Sequence, residues 1–250
     1  MKIALIGYGK MGHAIEKTAI ARGHEIVCKI DADNAADFDS PEFASADIAI
    51  EFTTPSTAVD NYLKAFQRNV KVVSGTTGWT DSMPRIKEMC EKGEGTLFWT
   101  SNFSLGVNIF FAVNRYLASI MGGFPQYKPS MEEIHHIHKL DHPSGTAITL
   151  AQGIMAKDPE ITSWKEAEDV DSHTLKVEAV REGEVPGTHI VRWDSQVDTV
   201  TIEHRAKSRD GFALGAVVAA EWACGREGWL TMDEMMHSLV SAPALLDIVK

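Results

Sequence analysis

Cysteine is scarce: Cys28, Cys90 and Cys224 are the whole complement, isolated and odd in number. Such a set supplies neither a disulfide framework nor a metal cage and fits a reducing, cytoplasmic compartment. No apolar run approaches the roughly 20 residues of a membrane helix. The apolar stretch over residues 1–6 is too short for a signal peptide, because it meets Gly7 at once. Positive charge is in deficit, with 24 Lys+Arg against 35 Asp+Glu and a net charge of −11, which disfavours a nucleic-acid partner. Nine Pro and 19 Gly in 250 residues are too few for a low-complexity chain. There is no internal repeat, no flexible Gly/Ser linker and no HExxH. With 44% apolar and 8% aromatic residues, the composition is that of an ordinary globular protein able to build a core, with no membrane and no nucleic acid among its partners.

The first half is strand, glycine turn, helix. Ile3-Ala4-Leu5-Ile6 is a continuous apolar run, as in a strand buried on both faces. It ends in Gly7-Tyr8-Gly9-Lys10-Met11-Gly12, a GxGxxG, and a helical segment follows with Ile15, Ala19 and Ile20 expected on one face up to Gly23. A second strand closes on Asp31, 19 positions past Gly12, where a dinucleotide-binding unit places its ribose carboxylate. In that reading Gly7 permits the tight turn, Gly9 lets backbone approach a pyrophosphate, and Gly12 allows helix to pack on strand. The unpaired N–H groups of the helix start face the anion. Further strand–helix alternations run through residues 47–52, 59–66, 70–74, 84–90 and 97–100. This rhythm implies a parallel sheet with ligands at the carboxyl ends of its strands. The polar loops at those ends, Gly75-Thr76-Thr77 and Ser101-Asn102-Phe103-Ser104, are candidate cofactor contacts, with ordinary turns the competing reading.

After a helical run over residues 107–121 the pattern changes to clustered strands, over residues 131–136, 174–181, 189–193 and 199–204, with a long polar loop over 158–172. The expected fold is therefore α/β: an N-terminal Rossmann-type parallel-sheet domain, plus an α+β second domain on a mixed or antiparallel sheet. The densest chemistry lies in Glu132-Glu133-Ile134-His135-His136-Ile137-His138-Lys139-Leu140-Asp141-His142-Pro143-Ser144-Gly145-Thr146-Ala147. If extended, Glu133, His135 and Ile137 point to one side and Ile134, His136 and His138 to the other, so the histidines cannot all serve one site. Ser144 is a plausible N-cap for a helix beginning at Gly145. The first turn of that helix, with Lys139 nearby, suits a small anion such as a carboxylate. Three imidazoles could ligate zinc, but no standard zinc spacing is present, and metal is not expected. Thr231-Met232-Asp233-Glu234 has the form of a capping box, and Trp164, Trp193, Trp222 and Trp229 are expected in core or interface.

Taken in order, these motifs resemble the dihydrodipicolinate reductase (4-hydroxy-tetrahydrodipicolinate reductase) family of lysine and diaminopimelate biosynthesis, over nearly the whole chain. The segment from Glu133 to Ala147 matches the pattern E-x-H-H-x-x-K-x-D-x-P-S-G-T-A. Glu51-Phe52-Thr53-Thr54-Pro55, Gly75-Thr76-Thr77-Gly78, Ser101 to Asn108, Arg181-Glu182-Gly183, Pro186-Gly187-Thr188-His189 and Ser208-Arg209 with Gly215-Ala216 support it. The resemblance implies His135 as general acid/base and Lys139 as proton donor or electrostatic stabiliser. His136, Gly145 and Thr146, after Ser144, would hold a small dicarboxylate substrate. NADH and/or NADPH would lie on Gly7, Gly9, Lys10, Met11, Gly12 and Asp31, with Gly75, Thr76 and Thr77 and Ser101, Asn102, Phe103 and Ser104 flanking its nicotinamide end. It implies residues 1–105 together with 209–250 as the dinucleotide-binding domain, and 106–208 as a substrate-binding and tetramerisation domain of a homotetramer.

One feature departs from the family: the glycine turn is one residue shorter, with Ile6 in the first glycine's place. Ala32 follows Asp31 where some members carry an arginine for a 2′-phosphate, leaving Lys29 and Lys10 as candidate substitutes. NADH is therefore expected to serve at least as well as NADPH. Another Rossmann-fold amino-acid or semialdehyde dehydrogenase would share the first half but lack the histidine–lysine–Ser-Gly-Thr segment. A nucleotide sensor would bind NADH without consuming it, and a zinc hydrolase would contain stoichiometric metal.

Overall fold

The computed structural model describes residues 1–208 and 210–240. The last ten residues of the proposed 209–250 segment, and Arg209 of the Ser208-Arg209 motif, therefore lie outside the described residues. The chain forms two compact units, one joining Met1–Leu105 with the chain from Asp210 onward, the other Gly106–Arg209.

The first unit contains β1 (Lys2–Ile6), α1 (Lys10–Ala21), β2 (Glu25–Ile30), α2 (Pro41–Ala44), β3 (Ile48–Glu51), α3 (Pro55–Gln67), β4 (Lys71–Ser74), α4 (Met83–Glu91) and β5 (Leu97–Trp99). Its strands form one parallel sheet in the order β11-β5-β4-β3-β1-β2, where β11 (Trp229–Thr231) enters much later in the chain. Side chains alternate across a strand, and here both faces are covered. Ile3, Leu5, Ile48, Ile50, Val73 and Phe98 turn to one side, against α1 and two later helices, α7 (Asp210–Cys224) and α8 (Met232–Val240). Ala4, Ile6, Ala49, Val72 and Leu97 turn to the other, against α2, α3 and α4 through Phe43, Tyr62 and Ile86. That two-sided burial explains why the strands read as unbroken apolar runs.

Helix α7 is rich in alanine and lies buried along this sheet. A Cβ on Gly215 would stand 1.7 Å from the Phe103 carbonyl oxygen, so only glycine fits that approach. Thr231 and Glu234 exchange backbone-to-side-chain hydrogen bonds at the start of α8, completing the capping box. Ile20 is exposed rather than buried: at 100° per residue it sits off the Ile15–Ala19 stripe.

The second unit has α5 (Leu105–Met121), β6 (Lys128–His135), α6 (Gly145–Met155), β7 (Ser163–Lys165), β8 (Thr174–Arg181), β9 (Thr188–Asp194) and β10 (Thr199–Arg205). Its mixed sheet runs β10-β9-β6-β8-β7: β6 pairs antiparallel with β9 and parallel with β8. The segment over 158–172 is not all loop, since β7 pairs parallel with β8 at the sheet edge. Trp193 is wholly buried in the core that α5 and α6 share with the sheet, and Trp164 packs at its margin.

Candidate functional site

Two sites emerge, one in each unit. In the first, β1 breaks at Gly7, whose φ of +89° is open to glycine. A Cβ there would stand 2.1 Å from the Phe52 carbonyl oxygen, and one on Gly12 2.4 Å from the Gly7 oxygen. Gly9 caps α1 with no side-chain hydrogen bond and open space at its Cβ position. The first-turn N–H groups are thus left for an anion, which is what a pyrophosphate needs. Gly9, Lys10 and Met11 line a pocket of about 380 Å³ with Gly75, Thr76 and Thr77, the carboxyl-end loop of β4. Phe52, Thr53 and Pro55 line it too, a place that their sequence pattern does not announce. A larger hollow of about 670 Å³ lies along the edge strand β11, lined by Lys87 and Glu91 of α4 and by Glu227, Thr231 and Glu234; it includes none of the site residues expected from the sequence.

A buried network holds the pocket's two loops. Glu51, wholly buried at the end of β3, accepts hydrogen bonds from Ser74 Oγ (2.6 Å), Thr76 Oγ1 (3.0 Å) and Thr53 Oγ1. Thr53 N–H donates to Thr76 Oγ1 at 2.8 Å, and Tyr62 OH lies 2.7 Å from Ser74 Oγ. Burial, followed by the Glu51 charge, pushes the Tyr62 phenol well above its ordinary range. The indoles of Trp79 and Trp99 both donate to the Thr76 carbonyl. Asp31, just past β2, accepts from Tyr8 N–H at 3.3 Å and from Ala32 N–H at 2.9 Å. Ser101, Asn102, Phe103 and Ser104 follow β5. The Phe103 ring is buried against Phe52 and Phe98, and its carbonyl packs closely on Gly215 of α7. The turn, the open helix start and the pocket fit a dinucleotide.

In the second unit the alternation of β6 puts Met131, Glu133 and His135 on its buried face. Met131 belongs to the apolar core, and the next two positions on that face are ionisable. The register sets Glu133 opposite His189 on β9, and His135 opposite Arg181 on β8. Glu133 is wholly buried. One of its oxygens accepts from Ser144 N–H (2.9 Å) and Arg181 Nη2 (3.1 Å). The other lies 3.2 Å from His135 Nδ1 and 3.7 Å from His189 Nε2. Burial works to raise this carboxyl, but the neighbouring His135 and His189 imidazoles and the Ser144 N–H outweigh it and hold Glu133 far below the usual carboxylate range. Burial, the largest effect, depresses His189 despite the nearby Glu133 carboxylate, and charge on His135 and Lys139 adds to it.

His135 Nδ1 thus lies beside the anionic Glu133 carboxylate without a hydrogen bond closed between them, on a ring mostly buried and set edge-on to His189. Lys139 pairs with Asp141 at 2.8 Å and holds that carboxyl below its ordinary range. Arg181 also donates to the Asp141 carbonyl at 2.6 Å, tying the loop over 136–144 to the sheet. Ser144 caps α6, its Oγ accepting from Ala147 N–H at 3.2 Å and lying 3.3 Å from His189 Nε2. The cap leaves Gly145 and Thr146 with first-turn N–H groups that have no helical partner. Gly145 is exposed and Thr146 half-buried. Ile137 and His138 lie beyond the strand and point to solvent, while His136 N–H is held by the Val185 carbonyl.

The arrangement offers a carboxylate-oriented imidazole beside a helix start able to take an anion. Glu133, His135 and His189 also place ligand atoms within 4.8 Å of one another, enough to hold a metal, although the Arg181 cation already balances the Glu133 charge. Glu133, Arg181 and His189 had no assigned role from sequence. The signal for Glu133 was its two-residue spacing from His135; the other two arrive by strand pairing.

Residues 1–103 match the family model described as dihydrodipicolinate reductase, N-terminus, and residues 106–236 the one described as its C-terminus. A 4-hydroxy-tetrahydrodipicolinate reductase from Christiangramia forsetii is 46% identical over 96% of this chain and 99% of its own. One from Archaeoglobus fulgidus is 34% identical over 95% and 100%. Among solved structures, a dipicolinate-bound dihydrodipicolinate reductase from Paenisporosarcina sp. TG-14 has a similar fold, with TM-score 0.74 at 21% identity over 92% of this chain and 97% of that one.

Proposed function

The chain belongs to the dihydrodipicolinate reductase family, and on that premise we propose that it reduces 4-hydroxy-tetrahydrodipicolinate, through its conjugated dihydro form, to tetrahydrodipicolinate. Loss of water from the hydroxylated ring gives the conjugated dicarboxylate; addition of one hydride and one proton completes the reduction in lysine and diaminopimelate biosynthesis. NADH or NADPH, held in the first unit at the Gly7–Gly12 turn and the Gly75–Thr77 loop, supplies the hydride when bound.

The chain's own residues do the rest. Ionised Glu133, 3.2 Å from His135 Nδ1, favours a proton on that nitrogen, and Nε2 is the nitrogen turned over to proton delivery. A positioned donor of this kind contributes about 10²–10⁴-fold. Lys139 steadies the negative charge that builds on the ring as hydride arrives. His136, Gly145 and Thr146, at the Ser144-capped start of α6, take the ring carboxylates. Ser101–Ser104 sit beside the nicotinamide end of the cofactor. The single observation carrying this reading is the wholly buried Glu133, hydrogen-bonded to the start of α6 and 3.2 Å from His135 Nδ1. The same membership supports a homotetramer built on the second unit's sheet, and a cytoplasmic location. Among the described residues no helix is long and apolar enough to cross a membrane.

The test is NADH oxidation with the freshly made condensation product of pyruvate and aspartate semialdehyde. Stoichiometric consumption that needs both pyruvate and the semialdehyde supports the reading. Binding of NADH without turnover on that product would overturn it in favour of a nucleotide sensor.

A further inference from the structure

The residue between the first two glycines of the nucleotide turn, Tyr8, is not a bystander. Its hydroxyl donates to Glu16 on α1 and accepts from Lys29 Nζ at 3.0 Å. Lys29 Nζ also lies 2.6 Å from the other Glu16 oxygen and 4.6 Å from the centre of the Tyr8 ring. Three contacts thus hold one lysine. Lys29 lies two residues before Asp31, and Tyr8 touches both at the carboxyl end of β2, the lysine through its hydroxyl and the carboxylate through its N–H. Asp31 in turn accepts from the Tyr8 N–H. In a dinucleotide site that corner meets the 2′ position of the adenosine ribose, where a carboxylate suits a hydroxyl and a cation suits a phosphate.

We propose that Glu16 is a specificity-determining residue of the nucleotide site: by tying Lys29 to itself and to Tyr8, it leaves Asp31 to set the preference at the 2′ position and favours NADH over NADPH. The inference rests on the dinucleotide reading of the first unit. Lys29 would otherwise be the cation best placed to replace the arginine that Ala32 lacks. With Glu16 ionised, the pair contributes no net charge to a 2′-phosphate, and Asp31 opposes it. The mutual hydrogen bond lowers Glu16 and raises Lys29 from their ordinary values, so both stay charged across the working pH range. Lys10, the other nearby lysine, lines the pocket with the Gly75–Thr77 loop and serves either nucleotide alike.

The test is the dissociation constant of NADH and of NADPH, from nucleotide fluorescence at fixed ionic strength. It is run on the wild-type protein, on Glu16→Gln, and on Glu16→Gln with Lys29→Gln. The Gln side chain keeps the shape of Glu16, a partly exposed residue, and releases the lysine. The expected result is NADPH binding strengthened about 3–5-fold, as for one freed surface cation meeting a phosphate, with NADH binding changed by less than about 1.5-fold, and the gain lost in the double variant. If both nucleotides bind but their ratio is unmoved by Glu16→Gln, or the gain survives without Lys29, the proposal is overturned and the nucleotide site stands. If the wild-type protein binds neither nucleotide, the site reading falls and takes this proposal with it.

Discussion

Replacing Glu133 by Gln keeps the side-chain volume and removes the charge on which the second site is built. The amide oxygen can still accept from Ser144 N–H, but the Arg181 guanidinium, only 14% exposed, then faces a neutral group. Breaking a buried pair from one side costs about 3–5 kcal/mol, and the retained Ser144 bond places the loss near about 3 kcal/mol. At about 2–4 °C per kcal/mol for a chain of this size, the melting temperature should fall about 6–12 °C. The chemical consequence is separate: His135 Nδ1 loses its anionic partner, so the ring is free to take the wrong tautomer, and kcat should drop about 10²–10³-fold. Glu133 acts through His135 and is a positioning residue. A purely structural role would therefore leave the pH profile of kcat in place, whereas the orienting role requires its alkaline limb, where the donor loses its proton, to move. The assay is steady-state NADH oxidation across pH with the condensation product, beside a thermal melt and an NADH titration. Glu133→Asp, which keeps the charge, should recover part of kcat. A folded Glu133→Gln enzyme with kcat within twofold of wild type and a superimposable pH profile would refute the reasoning.

Three further outcomes are expected. Gly7→Ala puts a Cβ 2.1 Å from the Phe52 carbonyl oxygen at a φ of +89°, so the turn must move; a fluorescence titration should show NADH binding weakened at least about tenfold, and an unchanged constant would count against the turn as the phosphate site. Ser144→Ala removes the α6 cap, worth about 1 kcal/mol, and should raise KM for the dicarboxylate several-fold while lowering kcat less; the reverse split would place Ser144 in the chemistry instead. His189 is depressed below its usual 6.5 and Glu133 below its usual 4.5, so in each case the unfolded chain binds the proton more readily. The stability from His189 is present above about pH 6.5 and lost as pH falls through it, and that from Glu133 is lost below about pH 4.5. Melting temperature against pH should show the upper step in wild type and not in His189→Gln, and identical slopes would contradict the assignment.

Much of the first unit was legible because its logic is local. A strand buried on both faces reads as an apolar run, and a glycine turn before a helix leaves its spacing in the chain. The same holds for the Ser144 cap and the Thr231–Glu234 box, where donor and acceptor lie three residues apart. What escaped were pairings between distant segments. Nothing near Glu133 announces that Arg181 and His189 will flank it, since β8 and β9 bring them there through sheet register. The Glu51–Ser74–Thr76 network joins the ends of β3 and β4 and is equally silent in sequence, as is the entry of β11 beside β5. Strand β7 has three residues, too few to show a period. Even the Glu133–His135 pair, two residues apart on one strand face, needed the wholly buried setting of Glu133 before the carboxylate could be read as the group that orients the ring.

The most direct test of the account is the turnover of His135→Gln with the condensation product, measured beside its NADH dissociation constant. A loss of at least about 10²-fold in kcat with NADH binding within twofold of wild type is the predicted result. Full turnover without that imidazole would contradict the claim that His135 delivers the proton.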